Sequence, residues 1–457
     1  MTEKRRGDKQ VTLSRTTVIG YGAASGPFEM LRAPALAILP ALYSAEYGLA
    51  LTTISFALLL LRLSDSATDL IVGTLSDRTR SRWGPRKPWL LASIFIALPA
   101  AYGLYAPGEN VSIWTFSICY FFFYLAWTMF EIPYTAWSTE LARGYEDRSR
   151  LALSRGVFGS VALVLLSLVP LLPFLPNTEM TFHTTEVIFW IIAIAYPLGV
   201  LFAFFFVPKG ELLASQSQVR LRESFRAIRD NRPMLLFLCI AFCADLAMGI
   251  SGAMFFLLFD SYLGLGASFS LIFLTAIAVS TVSLKLWEVV VKRTSKTRLL
   301  TVCLAGGVIW GLSVSLLRPG PYTLPMFMVF LSAYYVFSAG RDVALYATIG
   351  DVVDYDSLKT GSDRAGLFSS GWMVLRKLAY AVGPAVGFFV AGVVGYDPSA
   401  EQNDTLGIFG LKASNGYLPA LLLAIALLLA LRFPITPEKH RTIRRRLEQR
   451  HARVTGV

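Results

Sequence analysis

Leu58–Leu91 reads "LLLLRLSDSATDLIVGTLSDRTRSRWGPRKPWLL". An apolar run holds Arg62, Asp65 and Asp69, and a dense basic stretch follows it. The three charges are spaced i, i+3, i+7, which places them on one face of a helix. Facing lipid they would be costly, so they should face a helix bundle or a watery path. One Arg–Asp lock between helices explains Arg62 and one aspartate but leaves the second. Two neighbouring carboxylates repel unless a cation or a proton lies between them, and oxygen ligands suit hard cations. The stretch therefore predicts coupling to a cation inside a membrane span.

The rest of the chain supplies the membrane. It has 457 residues, 55% of them hydrophobic and only 16% charged, where soluble proteins carry about 25%. Mean hydropathy is +0.56. Apolar runs of about 20 residues, enough to cross a bilayer, recur throughout. Lipid offers backbone groups no partner, so these are helices, and their continuity is unlike the alternating segments of a β-barrel. The net charge of +12 reads as the basic loops of an inner-membrane protein, with a lipid bilayer and no nucleic acid as partner. Cys119, Cys239, Cys243 and Cys303 all fall in apolar runs and read as small core residues. No cofactor and no tightly bound metal is expected. The polar "MTEKRRGDKQ" start precedes an apolar stretch too long for a cleavable signal.

Twelve spans are predicted, near 17–44, 49–76, 88–106, 111–139, 151–174, 186–207, 233–261, 267–291, 299–317, 323–350, 364–395 and 415–433. This gives an all-α membrane protein of two six-helix bundles, 17–207 and 233–433. An N-terminal tail (1–16), a linker (208–232) and a basic tail (434–457) complete it. Lys and Arg concentrate in the even-numbered connections and both tails, so both termini are expected in the cytoplasm. "FRAIRDNRP" in the linker fits a short helix on the membrane surface. "ELARGYEDRSRLALS" and "DVVDYDSLKTGSDRAGLFSS" each carry acidic residues at a helix end and then an Asp–Arg pair, at 147–148 and 363–364. This suggests two parallel repeats, the arrangement of major facilitator transporters.

"GTLSDRTRSRWGPRK" resembles the loop signature of that superfamily. On that resemblance Gly73, Asp77, Arg78 and Arg82 form a cytoplasmic gate, with Arg86 also in the motif and Gly73 allowing close helix packing. "RSRWGPRKPW", "EIPYTAW" and "GDVVDYDSLKTG" together resemble the glycoside–pentoside–hexuronide:cation symporters, over about Tyr21 to Tyr396. The resemblance implies a cation site of Asp65, Asp69, Thr128 and Glu131. It also implies substrate contacts from Glu29, Glu131, Arg155 and Lys377, and Trp372 is a candidate to stack on a sugar face. Arg32, one turn beyond Glu29, is an alternative partner for that carboxylate. Buried charges at Asp245, Arg341, Asp342 and Arg376 are left unpaired by the sequence.

This chain departs from the family in places. Glu131 and Glu29 stand where relatives carry shorter side chains. Thr135 replaces the sugar-stacking tryptophan, and Leu70 rather than proline follows Asp69. The expectation is a secondary transporter, not an enzyme, in a bacterial inner membrane. It would be a monomer that moves a glycoside or related polyhydroxy solute with Na+ or H+, the two bundles rocking about a central site. The altered pocket keeps an amphiphile such as a lysophospholipid open as solute. A non-transporting sensor is the reading from another class.

Overall fold

A computed structural model describes residues 13–142, 144–210, 226–362 and 364–455. Most of the tail 1–16, most of the linker and Asp363 of the second Asp–Arg pair lie outside the described residues. Among those described, the regular elements are helices.

The first span is two helices, α1 (Arg15–Ala37) and α2 (Leu39–Tyr47). Pro40 has no N–H to continue the ladder, and the Ile38 N–H turns back to the Pro34 carbonyl at 2.8 Å. Single helices follow: α3 (Leu51–Arg78), α4 (Lys87–Tyr105), α5 (Ile113–Leu141), α6 (Tyr145–Leu168) and α7 (Phe182–Phe206). After the linker come α8 (Arg232–Phe256), α9 (Phe269–Arg293), α10 (Lys296–Val314), α11 (Thr323–Thr360) and α12 (Ala365–Val393). The last span is α13 (Thr405–Lys412) and α14 (Leu418–Leu431), joined through a π-helical stretch, and α15 (Pro437–Thr455) closes the chain. Loop residues start many of these helices. Ser112, Thr181, Asn231, Ser295 and Asp404 each accept a hydrogen bond from a backbone N–H of the first turn, which satisfies a donor the helix itself cannot.

Among the described residues, ten helical segments are long and apolar enough to cross a membrane. The first two spans fall short of that apolarity, and they carry Glu29 with Arg32 and Arg62 with Asp65 and Asp69. Two boundaries differ from the sequence expectation by ten residues. Helix α11 continues to Thr360, where Gly361 caps it with φ 73°, and the last span begins at Thr405. The α11 extension is polar, beyond the part that hydropathy marks, and in the last span Lys412, Ser414 and Asn415 interrupt an apolar run that begins at Thr405. Cys303 is buried, but Cys239 is exposed on its helix and is not a core residue.

The chain divides into two compact units, Met1–Leu39 with Leu60–Gln216, and Pro40–Leu59 with Ser217–Val457. The first pairs span one with five and six, and span three with four and six. The second pairs seven with eleven and twelve, and nine with ten and twelve. The same pairings occur twice, as parallel repeats require. The sequence boundaries differ from these units at Pro40–Leu59, which belongs to the second. There Ser55 Oγ donates to the Ala385 carbonyl at 2.7 Å, and Phe56 meets Phe389 edge-on at 5.8 Å.

In the second unit α8 and α12 cross backbone to backbone. A Cβ on Gly383 would lie 2.6–2.8 Å from backbone atoms of Gly249 and Ile250. Small residues permit this approach in lipid, where close packing drives helix association. Gly383→Ala is expected to destabilise the protein by about 1–3 kcal/mol, the cost of overpacking. Thermal unfolding in detergent checks this, and an unchanged midpoint contradicts it.

Candidate functional site

The charged face of α3 meets α5 at Thr128. The Thr128 hydroxyl lies 2.9 Å from Oδ1 of Asp65 and 2.9 Å from Oδ1 of Asp69. Asp65 and Thr128 are buried, and Asp69 is partly so. One hydroxyl has one proton to donate. With both carboxylates ionised, only one of these contacts can be a hydrogen bond from threonine. The other is made if that carboxyl carries a proton or if a cation draws the oxygens together. Three of the four residues expected to bind the cation are thus gathered at one point.

Arg62 lies beside them, its Nη1 3.7 Å from Asp65 Oδ2. Its guanidinium sits 4.3 Å from the Tyr124 ring centre and 5.2 Å from that of Trp127. Cation–π contact suits a guanidinium held away from water. Trp127 also lies 5.2 Å from the guanidinium of Arg32, so two arginines share one indole. The sequence reading missed Tyr124 and Trp127. Their signal was present: Trp127 is one turn before Glu131 on α5.

The fourth expected cation ligand stands elsewhere. Glu131 Oε1 accepts from Arg155 Nη2 at 2.6 Å and from the Thr135 hydroxyl at 3.3 Å. Arg155 Nη1 reaches the same hydroxyl at 3.3 Å, and its guanidinium lies 5.3 Å from the Tyr134 ring. Thr135 is thereby part of this pair. Both charged side chains remain about one-third exposed. Glu29 pairs with Arg32, whose Nη2 is 2.5 Å from Glu29 Oε2, as the alternative reading of that carboxylate had it.

At the polar end of the first unit Arg86 is the hub. It lies 2.7 Å from Asp77 Oδ1 and 2.6 Å from Glu140 Oε1, and donates to the Ser76 hydroxyl at 2.8 Å. Glu140 was not anticipated, because 54 residues of chain separate it from Arg86. Arg82 instead stacks on Trp83 at 4.8 Å, and Arg78 ends α3. Gly73 is not a close-approach glycine, since a Cβ there would meet only Ile132 at 3.9 Å.

In the second unit Asp245 is fully buried between Arg341 and Arg376, each 3.8 Å away. Asp342 lies 2.7 Å from Arg341 and 3.4 Å from Arg376. Two acids and two bases thus neutralise one another. Lys377 is exposed on the next position of α12. Trp372 offers no free face: it is 1% exposed and packed edge-on against Phe237 and Tyr346. It is a core residue rather than a stacking platform.

Residues 20–437 match the family model described as MFS/sugar transport protein. The glucuronide carrier protein homolog of Escherichia coli is 24% identical, over 94% of this chain and 95% of its own. The putative sulfoquinovose importer of Salmonella typhimurium is 24% identical, over 81% and 79%. Among solved structures, the nucleoside transporter NupG superimposes with a TM-score of 0.65 at 14% identity, over 92% of this chain and 98% of that one. The chain is a multi-pass membrane transporter, not an enzyme, and it belongs to the sugar-transport branch of the major facilitator superfamily, the glycoside–pentoside–hexuronide:cation symporters.

Proposed function

We propose that the protein is a cation-coupled symporter of a glycoside or related polyhydroxy solute, working by alternating access in a bacterial inner membrane with both termini cytoplasmic. The observation that carries this is the single Thr128 hydroxyl shared by two carboxylates. Asp65, Asp69 and Thr128 take the coupling ion, Na+ or H+. Neutralising the aspartates lowers the cost of enclosing them in a closed transporter. It thereby ties solute affinity to the ion, and the dependence is reciprocal.

Within the first unit, Glu131 and Arg155 are the solute-facing pair. Both keep exposed surface, and together they offer a carboxylate acceptor and guanidinium donors to hydroxyl groups. The Glu131–Arg155 distance of 2.6 Å means that solute must loosen this pair or bridge it. Two relatives named for a glucuronide and a sulfoquinovose support a sugar bearing an acidic group, which Arg155 suits.

Competition for cation-driven uptake in proteoliposomes tests the solute class. Neutral glycosides, uronides and a lysophospholipid are offered as competitors. Competition by a sugar or sugar acid, weakened about tenfold or more by Arg155→Gln, is the expected result. The factor corresponds to roughly the 1.5–3 kcal/mol of a hydrogen bond to a charged group. Competition by the lysophospholipid alone would refute the sugar reading and leave the cation site untouched.

A further inference from the structure

Helix α15, beyond the last span, has no part in the proposed transport cycle. Its apolar side is anchored in the second unit, where Ile443 joins the buried core and Leu447 packs beside it. Its polar contacts converge on the end of α11. His440 Nε2 lies 3.1 Å from Asp351 Oδ1 and 3.1 Å from Asp354 Oδ2. Arg444 Nε lies 3.6 Å from the same Asp354 oxygen. Lys296, at the start of α10, pairs with Asp351. The Arg450 guanidinium covers Gly361, so that a Cβ there would meet its Nη2 at 2.9 Å.

The first unit explains why this cluster is more than a docked tail. Arg86 enters span three and Glu140 leaves span four. Lys296 opens span nine and Asp351 lies in the last three turns of α11, so each pair joins the third and fourth spans of its own repeat. In the first unit the third member is Asp77, from the end of span two. In the second unit the third member comes from the tail, and it is a histidine. Histidine is the side chain that ordinarily changes charge between pH 5 and 8.

We propose that α15 is a pH-sensitive strap, which the charge on His440 clamps across the ends of α10 and α11. Protonated, the imidazole attracts both carboxylates at once. Neutral, its one Nε2–H can satisfy only one of them. The strap therefore tightens as pH falls and loosens as pH rises. The other charged groups facing His440 are Asp351 and Asp354 on α11, Lys296 on α10, and Arg444 on α15. Arg444 is 63% exposed, so its ion pair is screened and contributes little. Lys439 turns to the Pro434 carbonyl at 3.2 Å, and Glu438 pairs with Arg441 at 3.7 Å.

A spin label at Arg446→Cys, in full-length protein with its native cysteines replaced and embedded in nanodiscs, reads the mobility of α15 directly. Arg446 is exposed and makes none of the contacts above. The expected result is an immobile spectrum at pH 6 and a mobile fraction several-fold larger at pH 8.5. His440→Gln is expected to be mobile at both values. His440→Arg, which keeps the charge, is expected to be immobile at both, and this separates loss of the clamp from misfolding. A wild-type spectrum independent of pH, or an immobile tail in His440→Gln at pH 6, overturns the proposal. Either result would mean that Ile443 and Leu447 hold the helix unaided. Neither result would bear on the cation site of the first unit.

Discussion

Asp69→Asn abolishes cation-driven accumulation of solute, by a factor on the order of 100, the upper range of coupling between two bound ligands. Asparagine keeps the shape of the side chain and the oxygen beside Thr128, but it removes the charge that the ion neutralises. Thr128 is then free to donate to Asp65 alone. The site no longer needs a cation before it can be enclosed, so affinity for the solute no longer rises with the ion. Downhill exchange of solute across the membrane is expected to persist, because the Glu131–Arg155 pair is separate from this cluster. Uptake into proteoliposomes under an imposed Na+ or pH gradient, beside solute counterflow without a gradient, measures the two activities. Uphill uptake that survives in Asp69→Asn would remove the coupling role from this carboxylate.

Arg86→Met destabilises the protein by about 3–5 kcal/mol, the usual cost of breaking a buried ion pair from one side. The Arg86 side chain is 6% exposed and that of Glu140 is 4%. Among the described residues, Glu140 Oε2 is buried with no hydrogen-bond partner, so the carboxylate depends on Arg86 through its other oxygen. Removing the guanidinium leaves a negative charge enclosed with no countercharge. Arg86→Lys is expected to recover only part of the loss, because one ammonium does not reproduce the planar fork that reaches Glu140, Asp77 and Ser76 together. Replacing both partners by apolar residues, Arg86→Met with Glu140→Leu, is expected to recover most of it. Thermal unfolding of the purified variants checks the order. Single variants as stable as the wild type would show that the hub is not a structural lock.

The charges on α3 were legible because helix periodicity alone places Arg62, Asp65 and Asp69 on one face. The break in the first span has a similarly local cause, Pro40, which carries no N–H to continue the helix ladder. Partners distant in the chain were not. Nothing in the spacing of Arg86 and Glu140 says that they meet, nor that Glu131 turns to Arg155 rather than to the aspartates. Both facts depend on how α4, α5 and α6 are rotated against one another. Asp245, Arg341, Asp342 and Arg376 could be flagged as too costly to face lipid, but their pairing needed the fold. Trp372 looked available for stacking because a sequence does not show which face of a helix is covered. The end of α11 was missed because hydropathy stops where a helix becomes polar, and the start of the last span because Lys412, Ser414 and Asn415 interrupt its apolar run.

The central claim is that Asp65, Asp69 and Thr128 form the coupling-ion site. Its most direct test is intrinsic tryptophan fluorescence of the purified protein, with Trp127 adjacent to Thr128 as reporter, during titration with Na+ at fixed pH and then with acid at fixed salt. A saturable response to one of these cations that disappears in both Asp65→Asn and Asp69→Asn is the predicted result. A response that persists in both variants, or no response to either cation in the wild type, would contradict it.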